Sequence, residues 1–209
     1  MTDEAYRLPM FPLGTVLFPH APTSLHIFEP RYRALAKDCT TGTGEFGVIL
    51  IERGHEVGGG DSRFAVGTVA RIVEAVELPD GRWLLAGEGV RRIRVEAWLP
   101  DDPYPLAMVV DLYEAPLDDD DQGLLTTAEH AVRRGLAYMA ELDEPAPPAT
   151  IELDRDPDAR AFQLAAVSPL GPLDRQTLLE TDGARLRLER LASAMDEENA
   201  VLATRLAGG

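Results

Sequence analysis

Apolar and polar positions alternate through much of residues 7–113 and recur at helical spacing after Pro116, which predicts a strand-rich half followed by an all-helical half. The stretch Arg7–Phe18 is apolar but interrupted by Pro9, Pro12 and Gly14, with Pro19 after it, which predicts short bent strands. Thr23–Phe28 reads as a further strand. Pro30 suits a first helical position, and the helix it opens carries Tyr32, Leu35 and Ala36 before Thr40–Gly44 end it. Phe46–Ile51 reads as a buried strand, and Glu52–Arg63, with Gly54 and Gly58–Gly60, as a loop. Phe64–Leu78 and Arg82–Leu99 are two long strands joined by the hairpin signal Pro79-Asp80-Gly81. In the second, Ile93, Val95, Ala97 and Leu99 form an apolar face opposite Arg92, Arg94, Glu96 and Trp98, while Gly87 and Gly89 permit a bend or bulge. The last strand, Leu106–Tyr113, carries Leu106, Met108, Val110 and Leu112 on one face.

Beyond Pro116, the carboxylates Asp118–Asp121 precede a helix striped by Leu125, Val132, Leu136, Met139 and Leu142; acidic groups are favoured there by the exposed amides and dipole of a helix N-terminus. Asp143–Thr150 is proline-rich and reads as a connecting loop. Asp156-Pro157 predicts a capped helix to Val167, and Gly171-Pro172 another ending near Glu180. Ala184, Leu188, Leu191, Met195, Leu202 and Leu206 form the stripe of a long terminal helix, interrupted at Glu198 or Asn199. Strands and helices are thus segregated, which predicts an α+β fold with domains at 1–115 and 116–209 and no internal repeat.

Charge narrows the partners. The 209-residue chain carries 36 acidic against 20 basic residues, a net charge of −16, and Lys37 is its one lysine. Neutralising a nucleic-acid backbone takes clustered cations, so nucleic acid is not expected as a partner. The single cysteine, Cys39, excludes an intramolecular disulfide and any multi-cysteine zinc site. No apolar run approaches a membrane span, and Met1–Glu4 is acidic rather than signal-like, so a cytoplasmic location without membrane contact is expected.

Reactive chemistry is not indicated. Lys37 lies between Ala36 and Asp38, which does not fit a phosphate-binding Gly-Lys-Ser/Thr loop, and it sits on a predicted surface helix away from Ser24, Ser62, Ser168 and Ser193. The glycines at 58–60 lack the strand-to-helix setting of a dinucleotide loop. His20 and His26 flank a strand, His55 falls in the glycine loop and His130 on a helix surface, none at metal-ligand spacing. No catalytic, cofactor-binding or metal-binding residue is assigned.

The segments Leu8–Gly14, Val16–Pro19 and Leu25–Tyr32, followed in order by Phe46–Leu50, Val66–Ile72, Leu78–Arg82, Gly87–Arg92 and Tyr104–Ala107, resemble the N-terminal substrate-binding domain of Lon proteases. The resemblance implies a PUA-like β-barrel followed by a helical subdomain, no cofactor, and recognition of unfolded or client polypeptides, with a protease system as a further expected partner; the ATPase and Ser–Lys peptidase parts are not seen. It singles out Pro12, Leu13, Phe18, Pro19, Phe28, Glu29, Arg31, Tyr32, Gly67 and Gly89 as family-motif residues of mainly structural role. Phe11, Leu13, Phe18 and Phe28 are expected to fill the barrel, Glu29 and Arg31 to pair at the helix start, and a groove between barrel and helices to hold the client. Two alternatives remain at this stage: RNA binding through Arg91, Arg92 and Arg94, and a hydrolase built on a serine or carboxylate beside His20 or His26. The oligomeric state is not indicated.

Overall fold

A computed structural model describes residues 4–53 and 62–208. Its contacts divide the chain into two units, residues 1–113 and 114–209. The first contains β1 (Tyr6–Leu13), β2 (Pro22–Ile27), α1 (Pro30–Thr41), β3 (Glu45–Arg53), β4 (Ser62–Glu77), β5 (Trp83–Leu99) and β6 (Leu106–Asp111). The second contains α2 (Gln122–Glu141), α3 (Pro157–Val167), α4 (Pro172–Glu180) and α5 (Ala184–Gly208), after a short 3-10 turn at Asp119–Asp121. The organisation is α+β.

The strands run in the order β2-β5-β4-β3-β1-β6, and β6 pairs again with β5. That second pairing closes β1, β3, β4, β5 and β6 into a barrel. Length makes closure possible: the first half of β5, Trp83–Glu88, pairs with β2, and its second half, Ile93–Leu99, pairs with β6. Between the halves the strand must change partner. There Val69 pairs with Arg91 and Ala70 with Gly89, which leaves Val90 as the extra residue of a bulge and bends the strand. A second bulge, at Val73 of β4, lies between the Ile72–Gly87 and Glu74–Ala86 pairs. Two glycines admit backbone where a side chain could not fit. A Cβ on Gly89 would stand 2.1 Å from the Phe18 carbonyl oxygen, and one on Gly67 2.3 Å from that of Val48.

Leu8, Met10, Ile49, Val69, Ile93, Ala107 and Val109 form the barrel core. In the last strand Ala107 and Val109 point inward, while Met108 and Val110 are only half-buried. Both faces of β6 carry apolar side chains, so alternation alone could not choose between them. The neighbouring β5 departs from its expected pattern. A register shift between Val95 and Ala97 leaves Ala97 exposed, and Arg92, expected on the wetter face, is fully buried.

β1 is one unbroken strand despite its prolines. Its first half, Tyr6–Pro9, pairs with β6 and its second half, Met10–Leu13, with β3. Each half is bonded along one side, the edge-like setting in which a missing proline N–H is tolerated. Phe11 is buried, but it alternates away from Leu8 and Met10 and stacks on Tyr32 of α1 with ring centroids 4.2 Å apart. The expected loop at 52–63 is shorter at both ends, since β3 reaches Arg53 and β4 starts at Ser62, joined by Ser62 Oγ donating to Glu52 Oε2 at 2.7 Å. Gly54, His55 and Gly58–Gly60 lie outside the described residues.

In the helical unit Asp156 caps α3, its Oδ1 accepting from the Ala159 N–H at 2.9 Å, and Pro157 occupies the first turn. The Asp118–Asp121 run closes on itself, with Asp118 N–H donating to Asp121 Oδ2 at 3.2 Å, while Arg185 of α5 pairs with Asp121 at 2.7 Å. Asn199, the residue that interrupts the apolar stripe of α5, is buried and donates through Nδ2 to the Ala131 carbonyl of α2 at 2.9 Å. Arg187, fully buried on the same helix, bonds the Leu178 and Thr181 carbonyls and both oxygens of Glu114, with its guanidinium 4.2 Å from the Phe162 ring centre. Both polar side chains tie neighbouring segments together at positions the stripe would assign to apolar residues.

Candidate functional site

β2 is the shortest way into the surface chemistry of the barrel unit, because its residues alternate cleanly. Ile27 is buried and Leu25 half-buried, whereas Ser24 and His26 face outward, and Phe28 just past the strand end follows their parity. Strand register extends this outward row: His26 lies opposite Leu84 of β5, and Leu84 opposite Val76 of β4. Leu84 is 44% and Val76 43% exposed, and Phe28, just past the end of β2, is 54% exposed, so this face leaves apolar area in water. The His26 and Phe28 rings meet edge to face at 6.4 Å between centroids. This overturns the expectation that Phe28 fills the barrel. The parity of Leu25 and Ile27 was the available signal, since an inward Ile27 sends Phe28 outward.

Two hollows flank β2. One, of about 420 Å³, lies over β2, β5 and β4 and includes His26, Glu74, Val76 and Leu84. The other, of about 180 Å³, is bounded by Ser24–Glu29 on one side and by Phe11, Leu13 and Tyr32 on the other. No residue of β5 lines it, so it runs along the side of β2 that faces away from β5. Among the described residues, neither hollow is lined by Lys or Arg, and each contains one carboxylate, Glu74 or Glu29. Glu29 is matched by Arg31 at 3.2 Å, the expected pair at the helix start, and Arg31 also stands 4.4 Å over the Tyr32 ring. Of the other motif residues, Pro12, Leu13, Phe18, Pro19 and Tyr32 are buried, and Gly67 and Gly89 occupy the close backbone approaches.

Ser24, His26 and Glu74 share the larger hollow, yet no hydrogen bond joins them among the described residues, so the relay that activates a serine is not assembled. His20 is exposed, at φ 59°, and His130 is exposed on α2. Among the described residues, no group of three His, Cys, Asp or Glu side chains could hold a metal ion, and no helix is long and apolar enough to cross a membrane.

A third hollow, of about 490 Å³, is lined by Tyr6, Asp38, Cys39, Glu45, Arg91 and Tyr104 among others. Arg91 is its most heavily bonded charge. Arg91 donates to Glu45 at 3.0 Å, to both oxygens of Asp111 at 3.0 Å, and to the Tyr6 hydroxyl at 3.1 Å; Tyr6 in turn donates to Asp111 at 2.6 Å. Burial opposes the Arg91 charge, but Glu45, Tyr6 and Asp111 outweigh it and raise its pKa. Tyr104 donates to Asp38 at 2.8 Å. Burial first, and the neighbouring carboxylate second, push the Tyr6, Tyr104 and Cys39 groups each up to about 12. At neutral pH the two phenols and the thiol therefore stay protonated, and the Arg91 guanidinium stays charged among its carboxylate partners. The arginines of β5 form no cationic face: Arg92 is buried, Arg91 meets two carboxylates, and Arg94 pairs with Glu96 at 3.0 Å.

These raised values set an alkaline limit. From the ordinary values of 9.0 and 10.0 up to about 12, the unfolded chain releases protons that the folded chain keeps, so stability falls as pH rises through that window and is fully present below it. Both tryptophans, Trp83 and Trp98, lie in β5, so their fluorescence reports the barrel unit. The urea midpoint read from it is expected to hold steady up to pH 9 and to drop progressively above.

The closed barrel with apolar side chains on its outer face has known counterparts. Residues 7–197 match the family model described as the ATP-dependent protease La (LON) substrate-binding domain. The chain belongs to this family, and its barrel is PUA-like. It is similar to Lon protease of Escherichia coli K12, at 28% identity over 199 residues, and to Lon protease 2 of Herpetosiphon aurantiacus, at 29% over 204. Each match covers 94% of this chain but only 25% and 24% of those relatives, so the chain spans about a quarter of their length. Among solved structures, a Lon N-terminal domain protein from Xanthomonas campestris superposes with a TM-score of 0.64 at 30% identity, covering 90% of this chain and 98% of that one. The N-terminal domain of Mycobacterium avium complex Lon protease shares the fold, with a TM-score of 0.63 at 17% identity over 91% of this chain and 98% of that one.

Proposed function

We propose that this domain captures unfolded or partly unfolded polypeptides, without covalent chemistry, on the apolar surface around β2. The observation that carries this reading is the exposed row of Val76, Leu84, His26 and Phe28 with a hollow on either side of β2. Family membership supports polypeptide as the ligand, and a net charge of −16 favours basic or neutral clients over acidic ones. The surface belongs to the barrel unit itself. The motif residues act as its scaffold, with Phe28 contributing contact area directly. The reading includes a cytoplasmic setting and a protease system as the destination of the captured chains, and assigns no enzymatic step to this domain.

The test is a fluorescence-anisotropy titration with two clients of similar size, lysozyme and lactalbumin, each unfolded by reduction and carboxyamidomethylation. The unfolded basic lysozyme is expected to bind more tightly than the unfolded acidic lactalbumin, and native lysozyme not to bind. Equal affinity for native and unfolded lysozyme would refute capture of unfolded chains.

A further inference from the structure

β2 ends the strand order, and no described strand pairs with its far side. A strand edge of this kind presents a row of N–H and C=O groups at the spacing another extended chain requires. Edges are ordinarily blocked by charge, proline or a covering element. Here Pro22 blocks only the first position, the rest of β2 carries no charged residue, and what faces the open side is the 180 Å³ hollow walled by Phe11, Leu13 and Tyr32. Continuing past the strand, Phe28 offers exposed apolar area at the end of the same edge.

The geometry points to client binding by strand addition: an extended segment, neutral or positively charged and apolar at alternate positions, pairs with the open edge of β2. Alternate side chains of the segment face the Phe11–Tyr32 wall, and the opposite set faces out toward Phe28 and His26. Backbone hydrogen bonds read extended conformation rather than sequence, which is what a receptor for many unfolded clients requires. The charge of the occupant follows from the lining. Glu74 forms no ion pair among the described residues, no cation lines either hollow, and the chain is strongly acidic. A folded partner presenting a helix would satisfy none of the edge amides, and a polyanion would meet only like charge.

This inference rests on the capture reading and is tested so that the two fail separately. The probe is a synthetic peptide of alternating valine and leucine with lysine at both ends, compared by anisotropy with two isomers N-methylated at either the odd or the even positions. A strand added to an edge uses amides of one parity only. One isomer is therefore expected to bind about tenfold or more weakly than the parent, and the other within about threefold of it. Equal affinities of the two isomers, whether retained or lost together, would overturn strand addition and leave capture standing. Failure of the parent peptide to bind, alongside failure of the unfolded lysozyme, would overturn capture itself.

Discussion

Replacing Phe28, Val76 and Leu84 together by serine is expected to weaken binding of unfolded lysozyme about thirtyfold or more while leaving the unfolding transition of the barrel in place. The three side chains are 54%, 43% and 44% exposed and none belongs to the barrel core, so their removal opens no cavity there. Their contribution is to an interface that forms only with a client. Apolar anchors at the centre of a binding surface commonly cost about 2 kcal/mol or more in total when truncated, and about 1.4 kcal/mol corresponds to tenfold in affinity. Serine keeps the net charge unchanged, so a loss of affinity cannot be assigned to electrostatics. The same titration with Val201→Ser, which removes an exposed apolar side chain of α5, is expected to match the parent protein. A triple variant that binds normally would place capture elsewhere on the chain.

The largest effect on stability is expected at Gly89. Its N–H donates to the Ala21 carbonyl at 2.9 Å and its C=O accepts from the His20 N–H at 2.8 Å, so the backbone is held from both sides where β5 changes partner. A Cβ there would press on the Phe18 carbonyl oxygen at 2.1 Å, and because the obstacle is backbone no side-chain rotation relieves it. Gly89→Ala therefore either displaces the Phe18–Ala21 segment or opens the bulge. The expected loss is about 3 kcal/mol or more, a large part of the typical 5–15 kcal/mol stability of a domain. Gly67→Ala meets the Val48 carbonyl at 2.3 Å and is expected to behave alike. Gly123, near the start of α2, has nothing within 4 Å of its added Cβ, so Gly123→Ala is expected to be neutral or to stabilise by up to about 1 kcal/mol. Urea unfolding followed by tryptophan fluorescence for the barrel variants, and by far-ultraviolet circular dichroism for Gly123→Ala, checks all three.

The elements marked by a local rule were legible in the sequence. Pro30, Asp156-Pro157 and Gly171-Pro172 each predicted a helix start that the structure contains, and the hairpin at Pro79-Asp80-Gly81 closes with Gly81 at φ +79°. What the pattern could not supply was long-range. Nothing in β5 announces that its two halves serve different partners, since that depends on β2 and β6 meeting it from distant points of the chain. The buried Arg92 and Arg187 look like surface positions by type, because their burial is made possible by contacts remote in sequence. Phe28 differs from its expected place for another reason: its hydrophobicity points inward, but Ser24, His26 and Phe28 lie on one side of the alternation and Leu25 and Ile27 on the other. The candidate site was thus half legible: its motif residues were visible, but Val76 and Leu84 join it only through strand register.

Amide hydrogen exchange followed by mass spectrometry, on the full chain with and without saturating unfolded lysozyme, tests client capture at β2 most directly. Added protection is expected in peptides covering residues 22–29 and 74–86, with the α2–α5 peptides unchanged. Protection confined to the helices, with the β2 peptides exchanging as in the free protein, would contradict capture at β2.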